Sequence, residues 1–123
     1  MNWKTIRLEL ACTETFPRGS AGRVFLLRVP VASDGHIDRA AIDRNPGRAT
    51  VRRFWGSEPD CFGFVEPREN RWALKCGKAP GDEFTFLLDA RPLKPGLQVK
   101  VRQPDGSELP FLIVNVKSVA AAS

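Results

Sequence analysis

The sequence predicts a small, mainly β protein, with about eight short strands in an antiparallel barrel or strongly curved sheet and one short helix. Its 123 residues are enough for one domain with a sizeable core. Ten glycines and ten prolines favour short strands joined by tight turns. Several stretches alternate apolar and polar residues, the period of a half-buried strand. A two-sheet β-sandwich is the alternative architecture.

The first two strands are predicted from the start of the chain. Residues 4–12 alternate, with Ile6, Leu8, Leu10 and Cys12 on one face and polar side chains on the other. Residues 23–31 are apolar on both faces apart from their arginines. This pattern indicates a strand that is covered on both sides, or one that crosses a corner of a barrel.

One helix is predicted, from Asp38 to about Asn45. Asp38 suits the N-cap, because its carboxylate can accept the free backbone N–H groups of the first turn. Pro46 ends the helix, since a proline excludes the α conformation from the residue before it. A helix of about two turns must be stabilised by packing on another element.

The other strands follow from β-branched, aromatic or alternating runs. They are predicted at residues 49–55, 62–66, 71–76, 84–90, 97–102 and 109–116. The second and third of these runs form a hairpin with a four-residue loop at 67–70. Because no helices of crossover length separate the strands, a parallel sheet is disfavoured, and closure would remove exposed edges. We expect one domain over residues 1–118 and a disordered tail at 119–123.

The surplus positive charge lies in one part of the chain. The formal net charge is +5, and residues 18–53 hold eight arginines against three aspartates, while basic and acidic residues balance elsewhere. Lysine would serve solubility equally well. Arginine in addition grips phosphate or carboxylate through a planar fork and stacks on rings. This bias indicates a surface for an anionic partner.

The candidate anion- or nucleic-acid-binding residues come mostly from the densest arginine stretch. They are Arg28, Arg44, Arg48, Arg52, Arg53 and Trp55. Strand alternation from residue 49 onward predicts Arg53 and Trp55 on one face and Arg52 on the other. Arg28 lies in an apolar strand, where it either reaches solvent along its stem or points into a barrel mouth.

The cysteines give a structural hypothesis and a compartment. A four-residue hairpin loop would place Cys61 opposite Cys76, so the two thiols form a possible cross-strand pair. The alternative is two small buried hydrophobic side chains. Three cysteines without a CxxC motif are typical of reduced thiols, so we expect a cytoplasmic protein.

These observations favour a non-catalytic binding module for an anionic partner, such as a nucleic acid or a nucleotide. A module that docks an acidic protein is the alternative, and the arginines could also be neutralised by acids such as Glu58. An enzyme is disfavoured, because no nucleophile elbow, phosphate loop or metal-binding motif is found. We expect no cofactor, no metal, since His36 is the single histidine, and no membrane span.

Overall fold

The chain folds into eight β-strands and one α-helix, in a computed structural model that describes residues 3–56, 58–77 and 83–119. The strands are β1 (Trp3–Leu10), β2 (Ser20–Pro30), β3 (Thr50–Trp55), β4 (Glu58–Arg68), β5 (Arg71–Gly77), β6 (Glu83–Asp89), β7 (Gln98–Arg102) and β8 (Glu108–Ser118). The helix, α1 (Arg39–Arg44), lies between β2 and β3. The predicted number and order of elements are confirmed.

The eight strands form a closed barrel. Each strand pairs antiparallel with the next along the chain, and β1 pairs antiparallel with β8. The barrel prediction is therefore confirmed, and the alternative of a sandwich is not what the chain forms. Closure gives every strand two neighbours, although β6 and β7 pair only through Leu87 with Arg102 and Leu88 with Val101, which makes this the shortest ladder among the described strands.

Alternate side chains of every strand fill the barrel. Phe25 and Phe111 are fully buried, and their ring centroids are 5.2 Å apart in an edge-to-face contact. Phe86 packs on Phe25 at the same distance. Trp55 joins this cluster from the end of β3, at 6.4 Å from the ring of Phe25. An aromatic cluster thus lies directly beneath one end of the barrel.

The helix is capped and packed as its sequence predicts. The carboxylate of Asp38 accepts a hydrogen bond from the backbone N–H of Ala41 at 3.2 Å. Ala41 and Ile42 are buried, which ties the short helix to the barrel. The helix ends at Arg44, and its C-cap is Asn45, immediately before Pro46.

The loop between β4 and β5 differs from the prediction. Arg68 pairs with Arg71, so the loop has two residues, and Pro67 lies within the strand opposite Trp72. A proline cannot donate to the ladder, which is why the sequence indicated a loop there. The turn places Glu69 in the left-handed region, with φ of 52°. Residues other than glycine adopt that conformation rarely, so the sequence carries no signal for it.

The two ends of the described chain lie together. The backbone N–H of Val119 donates to the carbonyl of Trp3 at 3.0 Å. The rest of the predicted tail, residues 120–123, lies outside the described residues. Within the described chain, no helix has the length and apolar character needed to cross a bilayer.

Candidate functional sites

Strand β3 directs the predicted binding residues to opposite sides of the barrel wall. The guanidinium carbon of Arg53 lies 4.3 Å from the ring centroid of Trp55 on the inner side. The guanidinium carbon of Arg52 lies 5.1 Å from the ring of Phe54 on the outer side. The alternation predicted for this strand is present, and it creates two separate candidate sites.

The first site is on the outside of β2, β3 and β4, and we call it the outer platform. It consists of Arg28, Arg52, Phe54, Phe62 and Phe64. In the strand register Arg52 is directly opposite Phe62. Arg28 and Phe64 are both opposite Thr50, one on each side of β3. Directly opposed residues on one face of a sheet are side-chain neighbours, so arginines and aromatic rings are interleaved here.

Two of the three aromatic rings of the outer platform are open to solvent, and the third, that of Phe54, is half-buried. Phe62 is 52% exposed and Phe64 is 44% exposed. Their ring centroids are 5.9 Å apart with an interplanar angle of 73°. Single exposed apolar residues are ordinary on a protein surface. Two phenylalanines in contact with each other form an apolar patch, which is a feature of binding surfaces.

The arginines of the outer platform are not neutralised by a nearby acid. Arg28 and Arg52 are both exposed, and neither forms a salt bridge with any residue in the described ranges. The acids on the outside of β4 are Asp60 and Glu66, which lie toward the two ends of that strand. Glu66 is already paired with Lys75 at 3.0 Å. The centre of the platform therefore carries a net positive charge.

Two predicted arginines lie elsewhere. Arg44 is exposed in the last turn of α1. Arg48 precedes β3, and its guanidinium carbon lies 4.9 Å from the ring of Trp3. Both are near the beginning of β3, whereas Arg53 of the same stretch points into the barrel and lies over the ring of Trp55. The stretch from 44 to 53 therefore does not form one continuous binding surface.

The second site is a cavity of about 560 Å³ at the end of the barrel where β3 passes into β4, and we call it the mouth pocket. Its walls are mainly aromatic and aliphatic, and include Trp55, Phe84, Phe86 and Leu109. The segment between β7 and β8 supplies a polar rim of Gln103, Asp105 and Ser107. Arg53 and Glu58 are its remaining charged residues.

Arg53 is held in the mouth pocket by rings and by one carboxylate. Its guanidinium carbon is 4.3 Å from the ring centroid of Trp55 and 5.2 Å from that of Phe86. Its Nη1 donates to Oε2 of Glu58 at 3.2 Å. The Nε atom is buried and has no hydrogen-bond acceptor among the described residues. The side chain is 14% exposed, so the pocket holds a largely desolvated cation with an unused donor.

The rim of the mouth pocket carries a fixed negative charge. The hydroxyl of Ser107 donates to Oδ1 of Asp105 at 2.7 Å, and the backbone N–H of Ser107 donates to the same atom at 2.9 Å. These two hydrogen bonds, the hydroxyl first, lower the pKa of Asp105 below its ordinary value of 3.8. The carboxylate is therefore ionised at neutral pH.

The cysteines are near each other but not directly opposite. Cys76 pairs with Gly63, two residues further along β4 than Cys61. The predicted register is wrong, because it assumed the longer hairpin loop. Both thiols are free and buried. Burial and, to a smaller extent, the neighbouring Cys61 raise the pKa of Cys76 from 9.0 to about 12, and the positive charge of Arg53 acts in the opposite direction. The thiol of Cys76 therefore stays protonated and unreactive at neutral pH.

Several residues of the two sites escaped the sequence analysis. Phe62 and Phe64 alternate with residues that face inward, so their exposure follows from the strand period and was missed. Phe86 and Ser107 reach the mouth pocket only because of how the barrel closes. Arg23 is one of the eight arginines in residues 18–53 but is not among the predicted binding residues. Its guanidinium carbon lies 5.7 Å from the ring centroid of Trp55.

Metal ligation and relationships to known proteins give no further direction. Within the described ranges, no group of three or more histidine, cysteine, aspartate or glutamate side chains is arranged to hold a metal ion. Comparisons of the chain with protein-family models, with curated proteins and with solved structures find no match.

Proposed function

We propose that this barrel is a non-catalytic binding protein for single-stranded nucleic acid and that the outer platform is its contact surface. The observation that carries the proposal is the arrangement of four residues on one sheet face. Phe62 and Phe64 are exposed to solvent and contact each other. They are interleaved with Arg28 and Arg52, neither of which forms a salt bridge within the described residues. We further propose a cytoplasmic location, because three free cysteines suit a reducing compartment.

Each half of the platform recognises one part of a nucleotide. Arg28 and Arg52 attract and grip phosphate oxygens, and a guanidinium is suited to this because it is planar and always charged. The ring faces of Phe62 and Phe64 offer stacking surface to bases, which is worth about 1–3 kcal/mol per base. Since every base has a flat face, such a surface binds with little sequence preference.

The shape of the platform favours a single strand over a duplex. The bases of a duplex are stacked on one another and cannot stack on a flat sheet surface unless they are unpaired. Reading a duplex usually takes a helix or a two-stranded ribbon that enters the major groove. The helix α1 has six residues, and the platform lies on the wall of a closed barrel. A strand with unpaired bases therefore fits this surface best.

An acidic protein is the competing partner. It could pair with Arg28 and Arg52, but carboxylates gain nothing from two open phenylalanine faces. A nucleic acid, in contrast, uses both kinds of residue on the platform, the arginines for its phosphates and the phenylalanines for its bases. A contribution of Phe62 and Phe64 to binding therefore separates the two partners.

The test is fluorescence anisotropy with a labelled oligothymidylate of about 15 nucleotides in low salt. We expect the double substitution of Arg28 and Arg52 by Gln to weaken binding at least about tenfold. The matched control replaces Lys100 and Arg102 by Gln, which removes the same charge from exposed positions on β7, across the barrel from β3, and should change affinity less than about threefold.

The aromatic half is tested with Phe62→Ser and Phe64→Ser in the same assay. Each substitution should weaken binding at least about fivefold, because stacking of one base is lost. Equal losses in the two double variants, or unchanged binding in both phenylalanine variants, would contradict the proposal. Absence of oligonucleotide binding combined with a concentration-dependent mass in sedimentation would instead identify the platform as an interface between two copies of the chain.

A further inference from the structure

We propose that the mouth pocket binds a small aromatic molecule that carries one acidic group, with Arg53 as the anchor for that group. This binding site is separate from the outer platform, since none of the residues that line the pocket belongs to the platform. The acidic group can be a carboxylate, a sulfonate or a phosphate monoester, because all three accept hydrogen bonds from a guanidinium.

The size and the lining of the pocket define the body of the ligand. A volume of about 560 Å³ is within the range of small-molecule sites and accommodates a molecule of one to three rings. Trp55, Phe84 and Phe86 give the pocket aromatic walls. The mouth of a β-barrel is also a common place for such a site. An aromatic or similarly flat apolar body is therefore the best match.

Arg53 supplies the polar end of the site. A guanidinium has five N–H donors, and the salt bridge to Glu58 uses one of them. The buried Nε has no acceptor among the residues that the structure describes. Contacts with the rings of Trp55 and Phe86 fix the side chain in place before any ligand arrives. An anion that enters the pocket meets a preorganised, partly desolvated donor, which lowers the cost of binding.

Glu58 occupies the place of a ligand anion in the free protein. Its side chain is 56% exposed, whereas that of Arg53 is 14% exposed. An exposed carboxylate regains water when it leaves its partner, so an ion pair of this kind is weak. An incoming acidic group therefore displaces Glu58 at small cost.

The rim disfavours a second acidic group at the outer end of the ligand. Asp105 is ionised and lies at the open end of the pocket. A second acidic group on the outer part of the ligand would meet this carboxylate and be repelled. Hydrogen-bond donors at that end would be accepted by Asp105 or by the side chain of Gln103.

The experiment uses two fluorescent probes of nearly the same shape. The anionic probe is 8-anilinonaphthalene-1-sulfonate, and the neutral probe is N-phenyl-1-naphthylamine, which lacks the sulfonate. We expect Arg53→Met to lower the affinity for the anionic probe at least about tenfold and the affinity for the neutral probe less than about threefold. The neutral Met side chain keeps the apolar packing between the two rings.

Two further variants sharpen the result. Glu58→Gln removes the competing carboxylate, so we expect it to raise the affinity for the anionic probe at least about threefold. Arg68→Met removes the same charge from the far end of β4, outside both sites, and should leave both affinities unchanged. If Arg53→Met does not fold, as judged by circular dichroism, the affinity of the folded Glu58→Gln variant for the anionic probe tests the inference instead.

Three outcomes would overturn the inference. The first is that the native protein does not bind the anionic probe. The second is that Arg53→Met lowers the affinity for both probes equally, and the third is that Glu58→Gln does not raise the affinity for the anionic probe. Competition separates this site from the outer platform, because an oligothymidylate should leave the bound probe in place. Either site can then fail without affecting the evidence for the other.

Discussion

Arg52 and Arg53 are consecutive in the chain, and their guanidinium groups lie on opposite sides of the barrel wall. Arg52 is exposed above the ring of Phe54 at 5.1 Å. Arg53 lies above the ring of Trp55 at 4.3 Å and is 14% exposed. Two identical residues thus have different environments, one solvated on the outer wall and the other largely enclosed in the mouth pocket.

The salt dependence of oligonucleotide binding should report the two platform arginines. With two phosphate contacts, the logarithm of the binding constant should fall against the logarithm of salt concentration with a slope of about −1.4. Replacing Arg28 and Arg52 by Gln should bring the slope close to zero. Phe62→Ser should lower affinity at every salt concentration with an unchanged slope. Anisotropy titrations between about 50 and 200 mM salt measure this. A slope unaffected by the arginine variants would remove them from the contact surface.

Gly63→Ala should strongly destabilise the barrel. A Cβ at Gly63 would lie 1.6 Å from the carbonyl oxygen of Lys75 on the neighbouring strand, so backbone must move. We expect a loss of more than about 3 kcal/mol in the free energy of unfolding in urea. Gly106→Ala is the control, because its Cβ would meet open space and only its φ of 91° is unfavourable. That change should cost about 1 kcal/mol. Equal losses would mean that the close approach of β4 and β5 is absent.

The three thiols should differ in reactivity. Cys12 lies beyond the end of β1 and is exposed, so its predicted place on the inner face of that strand is wrong, while Cys61 and Cys76 are buried. At about pH 8 an alkylating reagent should modify one thiol of the native protein quickly and the other two only after denaturation. Peptide mass spectrometry should locate the first adduct on Cys12. Rapid modification of all three thiols in the native protein would show that the barrel wall opens.

Burial of Cys76 should make the barrel less stable in alkali. The pKa of this thiol is raised from 9.0 to about 12, so the folded protein keeps a proton that the unfolded chain releases. The stabilisation is fully present below about pH 9 and is lost as the pH rises toward about 12. Chemical denaturation of the wild type and of Cys76→Ala should therefore show a steeper decline with pH in the wild type. Parallel profiles would contradict the assignment.

The cap of α1 should contribute measurably to stability. Asp38→Ala removes the acceptor for the N–H of Ala41, and we expect a loss of about 1 kcal/mol. Asp38→Asn keeps a side-chain oxygen at the same place and should stay within about 0.5 kcal/mol of the wild type. Urea denaturation followed by tryptophan fluorescence measures both. A cost as large for Asn as for Ala would show that charge, and not the hydrogen bond, stabilises the helix.

Local features of the chain were predictable because they depend on neighbouring residues. Alternation located the strands, Asp38 located the start of the helix, and the period of β3 separated Arg52 from Arg53. The hairpin register was not predictable, because it depends on a left-handed residue at Glu69. Since Cys61 and Cys76 were placed from that register, their predicted pairing was wrong as well.

The sequence alone determines on which face of a strand each side chain lies, because successive Cβ atoms of a strand point to opposite faces. Which residues meet across strands depends on pairing order, register and closure, and these involve residues far apart in sequence. Arg28 of β2 and Phe64 of β4 share the outer platform because both pair with Thr50. Phe86 of β6 lies near Arg53 because the sheet curves back on itself. The interior of a closed barrel brings such residues together, and no local pattern describes that interior.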